Sequence, residues 1–437
     1  MPTRRSLLAT AGALAMTGGA DDDFAALLNG DGDPQAAVPA LAGVAFRGPT
    51  RPAVLTVARG LARVSADRAM TPDSPARIAS ISKLVTAIGF MTLVEAGKVG
   101  LDDDVSDILG WALRHPRFPK AVITPRRLLS HTSGLRNGPS YPVAFGRPLG
   151  AALTPGGAQW DDGAWFGPAS EPPGDWFAYG DVNYAVVAQL IERRSGQRFD
   201  RFMASRVFQP LGLSCGFNWS GVPQAARDRR AVLYRKAPSD DGPWNAAGPW
   251  VAQLDETLPP APQAAVRVAP EAAGRALDGY VPGENGFVFA PQGGLRASVR
   301  DLEALGRVLA RRGAPILKAA TFATMAAPAW RFDPARPNGE GYGGLIRAYG
   351  LGVQTLTGGK GGDGGGDGGD NPFDGCEGWI GHAGDAYGLT SGLWVDPGSG
   401  RGMAYLLTGQ AAPLKHNRGR SMLTRQEEAM AARLARA

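Results

Sequence analysis

Ser80-Ile81-Ser82-Lys83 sets a hydroxyl and a primary amine three residues apart. If this run opens a helix, the two groups lie one turn apart on the same side, and the helix N-terminus favours negative charge developing at the serine. A lysine in a partly desolvated pocket can lose its proton and activate that serine as a nucleophile. The motif is short, and Ser80 reads equally as a helix N-cap followed by a solvated first-turn lysine. The other chemistry-bearing residues are dispersed. His115, His131, His382 and His416 are too far apart to suggest a metal site, and neither CxxC nor HExxH occurs. No metal or other cofactor is expected.

The elements that would position Ser80 follow from periodicity. Leu41 to Phe46 and Ala53 to Val64 are Val/Ala-rich runs separated by Arg47-Gly48-Pro49-Thr50-Arg51-Pro52, which predicts two strands and a hairpin turn. Ile81, Leu84, Val85, Ile88, Leu93 and Val94 then recur at three- and four-residue spacing up to Gly97, a buried helix. From about 99 to 290, helical segments (Pro125 to Leu129, Val182 to Arg194, Phe199 to Phe208) alternate with Pro/Gly/Trp-rich loops. Asp301 to Arg311 predicts an amphipathic helix. Tyr349 to Leu356, Trp379 to His382, Leu389 to Val395 and Met403 to Thr408 read as strands, and Ser421 to Arg436 as a terminal helix. The economical architecture is α+β, one antiparallel sheet built from both ends of the chain with flanking helices and an inserted, mostly helical region. Regular strand–helix alternation is missing, which excludes a parallel doubly wound fold.

Composition narrows the partners. The chain has 437 residues, 44% hydrophobic and 20% charged, enough to bury a large core. Its 46 basic and 40 acidic residues give a net charge of only +6, and the basic residues are mostly scattered arginines. Without a basic run or stripe, nucleic acid is not expected as a partner. Cys215 and Cys376 cannot build a disulfide framework; they read as buried small hydrophobes or one bridge. Residues 1–20 combine Arg4-Arg5, an apolar stretch from Leu7 to Met16, and Gly18-Gly19-Ala20, the layout of an export signal. Thr3-Arg4-Arg5-Ser6-Leu7-Leu8 is similar to the twin-arginine type, which implies delivery to the periplasm. The apolar stretch is too short to span a bilayer, so no stable membrane insertion is expected once the signal is cleaved. The mature part, 21–437, reads as a single domain with a helical subdomain at about 99–290. The Gly/Asp-rich stretch 358–370 reads as a surface loop. Its Gly359-x-Gly361-x-x-Gly364 lacks the following helix that a dinucleotide site requires.

Five motifs carry a family resemblance. Arg77-Ile78-Ala79-Ser80-Ile81-Ser82-Lys83 resembles the nucleophile segment of the serine β-lactamase/penicillin-binding-protein superfamily, especially class C enzymes, D,D-peptidases and related esterases. Leu128-Leu129-Ser130-His131-Thr132-Ser133-Gly134-Leu135 is similar to the loop after its nucleophile helix, and Tyr179-Gly180-Asp181 to its Tyr-x-Asn segment. Gln292-Gly293-Gly294-Leu295 resembles its Gly-Gly-Leu segment, and His382-Ala383-Gly384 its Lys/His-x-Gly strand. The motifs occur in the family's order from about residue 40 to 410.

The resemblance implies a β-lactamase/transpeptidase-like fold and a small-molecule ester, amide or peptide substrate. It makes Ser80 the nucleophile of an acyl-enzyme, with Lys83 and Tyr179 sharing acid/base duty. The N–H groups of Ser80 and Asp385 would form the oxyanion hole, and Asp181, His382, Ala383 and Gly384 would line the substrate site. A tyrosine can act as base only if a cation such as Lys83 stabilises its phenolate.

Each assignment has a plainer counterpart: Tyr179 as a core aromatic, His382 as a structural strand histidine, His131 as a loop hydrogen-bonder. Asp181 replaces an amide and Ala383 a hydroxyl, which disfavours penicillins and D-Ala-D-Ala ends and points to an esterase- or amidase-like hydrolase. A family member that merely binds a cell-wall peptide or protein in the same cleft is the competing reading.

Overall fold

A computed structural model of the chain describes residues 20–239, 242–258, 277, 279–359 and 369–437. Nearly all of the expected export signal and most of the Gly/Asp-rich stretch lie outside the described residues. Among those described, nine strands form one sheet. They are β1 (Ala40–Arg47), β2 (Ala53–Arg63), β3 (Arg68–Ala69), β4 (Trp330–Arg331), β5 (Ala348–Tyr349), β6 (Gln354–Thr355), β7 (Ile380–Ala386), β8 (Leu389–Val395) and β9 (Arg401–Leu407). Their order is β4-β5-β6-β7-β8-β9-β1-β2-β3, and every neighbouring pair is antiparallel. The sheet therefore closes with β1 seated between β9 and β2, as the apolar runs at both ends of the chain predict.

Both faces of the sheet are covered, which is why β1 and β9 are apolar at nearly every position. Ala42, Val44 and Phe46 of β1, with Ala404 and Leu406 of β9, face a large core that includes the helices α1 (Ile81–Glu95), α2 (Val182–Ser195) and α3 (Val299–Ala310). Leu41 and Ala45, with Met403, Tyr405 and Leu407, face a second core under the terminal helix α4 (Arg425–Arg436). Adjacent residues thus serve opposite layers. Helix α1 is apolar and buried nearly all round, the mark of a central helix.

Two elements differ from the sequence pattern. The run Tyr349 to Leu356 is broken into β5 and β6 by Gly350-Leu351-Gly352. Gly352 has φ +77°, and a Cβ there would sit 2.5 Å from that of Ala87, so the chain turns where it crosses α1. Helix α4 starts at Arg425 instead of Ser421, because Thr424 and Glu427 close a reciprocal capping box. Cys215 and Cys376 are both buried and unbridged. No helix among the described residues is long and apolar enough to cross a membrane.

Candidate active site

The segment carrying Ser80 enters from a short strand. Ala76–Arg77 pairs with Leu295–Ala297, the Ile78 N–H donates to the Leu295 carbonyl at 3.0 Å, and the Leu295 N–H donates to Ser82 Oγ at 3.1 Å. Ala79 then takes a left-handed conformation (φ +48°) immediately before Ser80, which caps α1 by position without a side-chain capping bond. The Ser80 hydroxyl is thus left available at the helix N-terminus, half-buried.

Lys83 is completely buried, and its amine meets three acceptors: Asp181 Oδ1 at 2.7 Å, the Gln292 carbonyl at 3.1 Å and Ser80 Oγ at 3.2 Å. An ammonium has three protons to donate, so the arrangement saturates a charged Lys83. Asp181 is engaged at both oxygens, since Tyr141 Oη donates to Oδ2 at 2.9 Å. Gln292 Nε2 donates in turn to Tyr141 Oη at 3.3 Å, closing a ring of contacts back to Lys83. Burial and then the Asp181 charge hold the Tyr141 phenol well above its ordinary value, so it stays a donor.

Tyr179 lies across from α1, with Lys83 Nζ 4.6 Å from its ring centroid. The cation meets the face of the ring. Burial and the Asp181 carboxylate push the Tyr179 hydroxyl well above the ordinary phenol value, and its hydrogen bond with Ser80 pulls the other way. Beneath it lies His131, buried, with ring centroids 4.4 Å apart. His131 Nδ1 accepts from the Gly180 N–H at 3.3 Å, which puts its proton on Nε2. Burial holds this imidazole well below its usual range, hence neutral.

Strand β7 passes directly behind Ser80. A Cβ at Gly384 would lie 2.5 Å from the Ile78 carbonyl oxygen, 2.5 Å from Ser391 Oγ and 3.3 Å from the Ser80 nitrogen, so only glycine permits this approach. Asp385 follows it, with an exposed side chain near the end of the strand. His382 is 2% exposed, and both of its ring nitrogens are engaged, Nε2 by Tyr349 Oη at 2.9 Å and Nδ1 by the Ala383 carbonyl at 2.6 Å. Burial lowers it to about 3, so the ring is neutral. Ala383 packs with the second core, on the opposite face of the strand from His382.

Ser80, Lys83, Tyr179, Asp181 and Gly384 are therefore brought together, His382 stands behind them, and Ala383 points away. Sequence reading did not identify Tyr141, Gln292 or Tyr349. Gln292 directly precedes the Gly293-Gly294-Leu295 segment, whereas Tyr141 and Tyr349 carry no local signal. Among the described residues, no three His, Cys, Asp or Glu side chains converge as metal ligands.

The family model described as Beta-lactamase matches residues 33–425. Penicillin-binding protein 4 of Amycolatopsis lactamdurans is 33% identical over 146 residues, covering 33% of this chain and 36% of that protein. D-aminopeptidase of Brucella anthropi is 29% identical over 160 residues, covering 37% of this chain and 29% of that protein. The chain thus matches about a third of the length of these curated relatives. Among solved structures, D-amino acid amidase from Ochrobactrum anthropi SV3 superposes with a TM-score of 0.62 at 19% identity, over 95% of this chain and 98% of that one. At that identity the likeness is one of fold.

Proposed function

Since the chain belongs to the beta-lactamase family, we propose that it is a serine hydrolase that cleaves small esters or amides through an acyl-enzyme on Ser80. The observation that carries this reading is the Ser80 hydroxyl at a helix N-terminus, 3.2 Å from the buried Lys83 amine. Relatives named as a D-aminopeptidase and a D-amino acid amidase support a substrate of the amino-acid amide or ester kind.

In this mechanism Lys83 begins as an ammonium and must release a proton before it can accept one. Asp181 is the base in contact with it, at 2.7 Å. As Ser80 Oγ attacks the carbonyl, the serine proton passes to Lys83 and a lysine proton passes to Asp181. The N–H groups of Ser80 and Asp385 receive the oxyanion, the kind of stabilisation worth about 3 kcal/mol per donor. Tyr179, held as a phenol, protonates the leaving group when the carbon–heteroatom bond breaks. The proton stored on Asp181 restores the resting state, and water then releases the acyl group by the reverse path. His382 orders the pocket wall as a neutral ring. The same reading takes residues 1–20 as an export signal and 21–437 as one periplasmic hydrolase domain.

The test is hydrolysis of p-nitrophenyl butyrate by the mature protein beside Ser80→Ala, with fluorophosphonate labelling read by mass spectrometry. Turnover and labelling at Ser80 that both vanish in Ser80→Ala are expected. Equal activity in the two proteins, or failure of any reagent to label Ser80, overturns the assignment and favours a binding role for the cleft.

A further inference from the structure

Tyr342 belongs to none of the recognised motifs, yet it packs on Tyr179 at the edge of the candidate site. It is 61% exposed, among the largest exposed hydrophobic side chains of the described residues, and its ring packs edge-to-face on Tyr179 with centroids 5.4 Å apart. The backbone explains how the two rings meet. The two-residue strand Gly339–Glu340 runs parallel to Phe177–Ala178, in the register Gly339↔Phe177 and Glu340↔Ala178. Tyr179 follows one of these strands directly and Tyr342 follows the other by two residues, so parallel pairing delivers both rings to the same end.

The loop spends conformational strain to hold that ring outward. Tyr342 has φ +52°, a region bulky residues avoid unless the surroundings impose it. Gly343 and Gly344 follow with φ +65° and +98°. The turn is fixed by the Gly344 and Ile346 N–H groups, which donate to the Gly341 carbonyl at 3.0 and 2.9 Å. A Cβ on Gly343 would lie 2.6 Å from Met422 Cε. Glu340 ties the loop to Arg136 at 3.2 Å, and Arg136 also pairs with Glu171. The Tyr342 hydroxyl is raised by the protein around it and by Asp181, with Lys83 opposing, so it senses the same charges as the nucleophile's partners.

We propose that Tyr342 is the substrate-facing wall of the cleft and selects esters or amides whose acyl group carries an aromatic or similarly flat apolar substituent. Its edge-to-face contact with Tyr179 uses part of the ring, and the rest is open to stack on a ligand. The chemistry around Ser80 is polar and charged, so this ring supplies an apolar surface at the mouth of the cleft. The inference rests on the hydrolase reading given above.

The experiment compares kcat/KM for p-nitrophenyl phenylacetate and p-nitrophenyl acetate, which share a leaving group and differ in the acyl ring. The wild type, Tyr342→Phe and Tyr342→Asn are used; asparagine tolerates the left-handed backbone and removes the ring. The phenylacetate-to-acetate ratio is expected to fall about tenfold in Tyr342→Asn, mainly through KM, and to be kept in Tyr342→Phe. If both esters slow equally in Tyr342→Asn and the ratio stays at the wild-type value, the ring only braces Tyr179 and the proposal is wrong. A wild type that hydrolyses neither ester and resists fluorophosphonate at Ser80 overturns the hydrolase reading and this inference with it.

Discussion

Asp181 Oδ1 stands 2.7 Å from Lys83 Nζ, and this pair governs the charge beside Ser80. Lys83 is fully buried, while the Asp181 side chain is 26% exposed, so the pair sits at the boundary between core and cleft. The carboxylate raises the Tyr179 hydroxyl, and Lys83 meets Tyr179 at the ring face. A phenolate base is therefore disfavoured at rest, and in the proposed mechanism the proton moves through Lys83 and Asp181 instead.

Asp181→Asn keeps the shape and lets the amide carbonyl accept from Lys83, but it can no longer take up a proton. Hydrolysis should slow about 10- to 100-fold at neutral pH, in the range of a lost general base. The shape of its pH profile should change, because solvent must then take the proton that Asp181 accepts in the proposed mechanism. A pH profile of kcat/KM superimposable on the wild type's would remove Asp181 from the proton path.

Gly384→Ala pushes a methyl group against the Ile78 carbonyl, Ser391 Oγ and the Ser80 nitrogen. Overpacking of this kind costs about 1–3 kcal/mol of stability. Displacing β7 from Ser80 should cost kcat more, about 100-fold, because oxyanion donors act only when accurately placed. Urea unfolding alongside steady-state kinetics separates the two effects; a fall in stability without a fall in kcat would contradict it.

Tyr349→Phe removes the hydroxyl that meets His382 Nε2 at 2.9 Å. The buried imidazole nitrogen loses its partner, a penalty of about 1–3 kcal/mol. The thermal midpoint should drop accordingly, and Tyr349→Leu should do no better. An unchanged midpoint in Tyr349→Phe would show that this hydrogen bond contributes little.

Glu427 lies buried at the start of α4, and burial raises its carboxyl from an ordinary 4.5 to about 8. The folded chain then keeps a proton that the unfolded chain has lost. Its contribution to stability is full below about pH 4.5 and declines as the pH rises through about 8. Glu427→Gln supplies the neutral cap permanently. It should be stabilising by about 1 kcal/mol at pH 5 and by about 4 kcal/mol at pH 8. Chemical denaturation at the two pH values decides, and equal effects at both would refute the linkage.

What the sequence reveals here depends on how local each feature is. Ser80 and Lys83 share one helical turn, so their spacing alone sets them side by side, and the apolar runs near both ends announce a common sheet. The Lys83 contact with Gln292 spans 209 residues, and Tyr141 reaches Asp181 from 40 residues away. Nothing in the periodicity of either segment encodes those meetings. Asp181 looked like a weakened substrate donor because its family position suggested that role; its pairing with Lys83 emerges only when α1 and α2 pack together. Tyr342 escaped notice for a related reason, since a strand of two residues leaves no pattern to read.

The seat of β1 between β9 and β2 also sets the order of assembly. A ribosome delivers β1 and β2 early, yet one edge of β1 has no partner until β9 has been synthesised some 350 residues later. Such distant pairing makes folding slow. The nearly finished chain therefore emerges with its central sheet still open at β1.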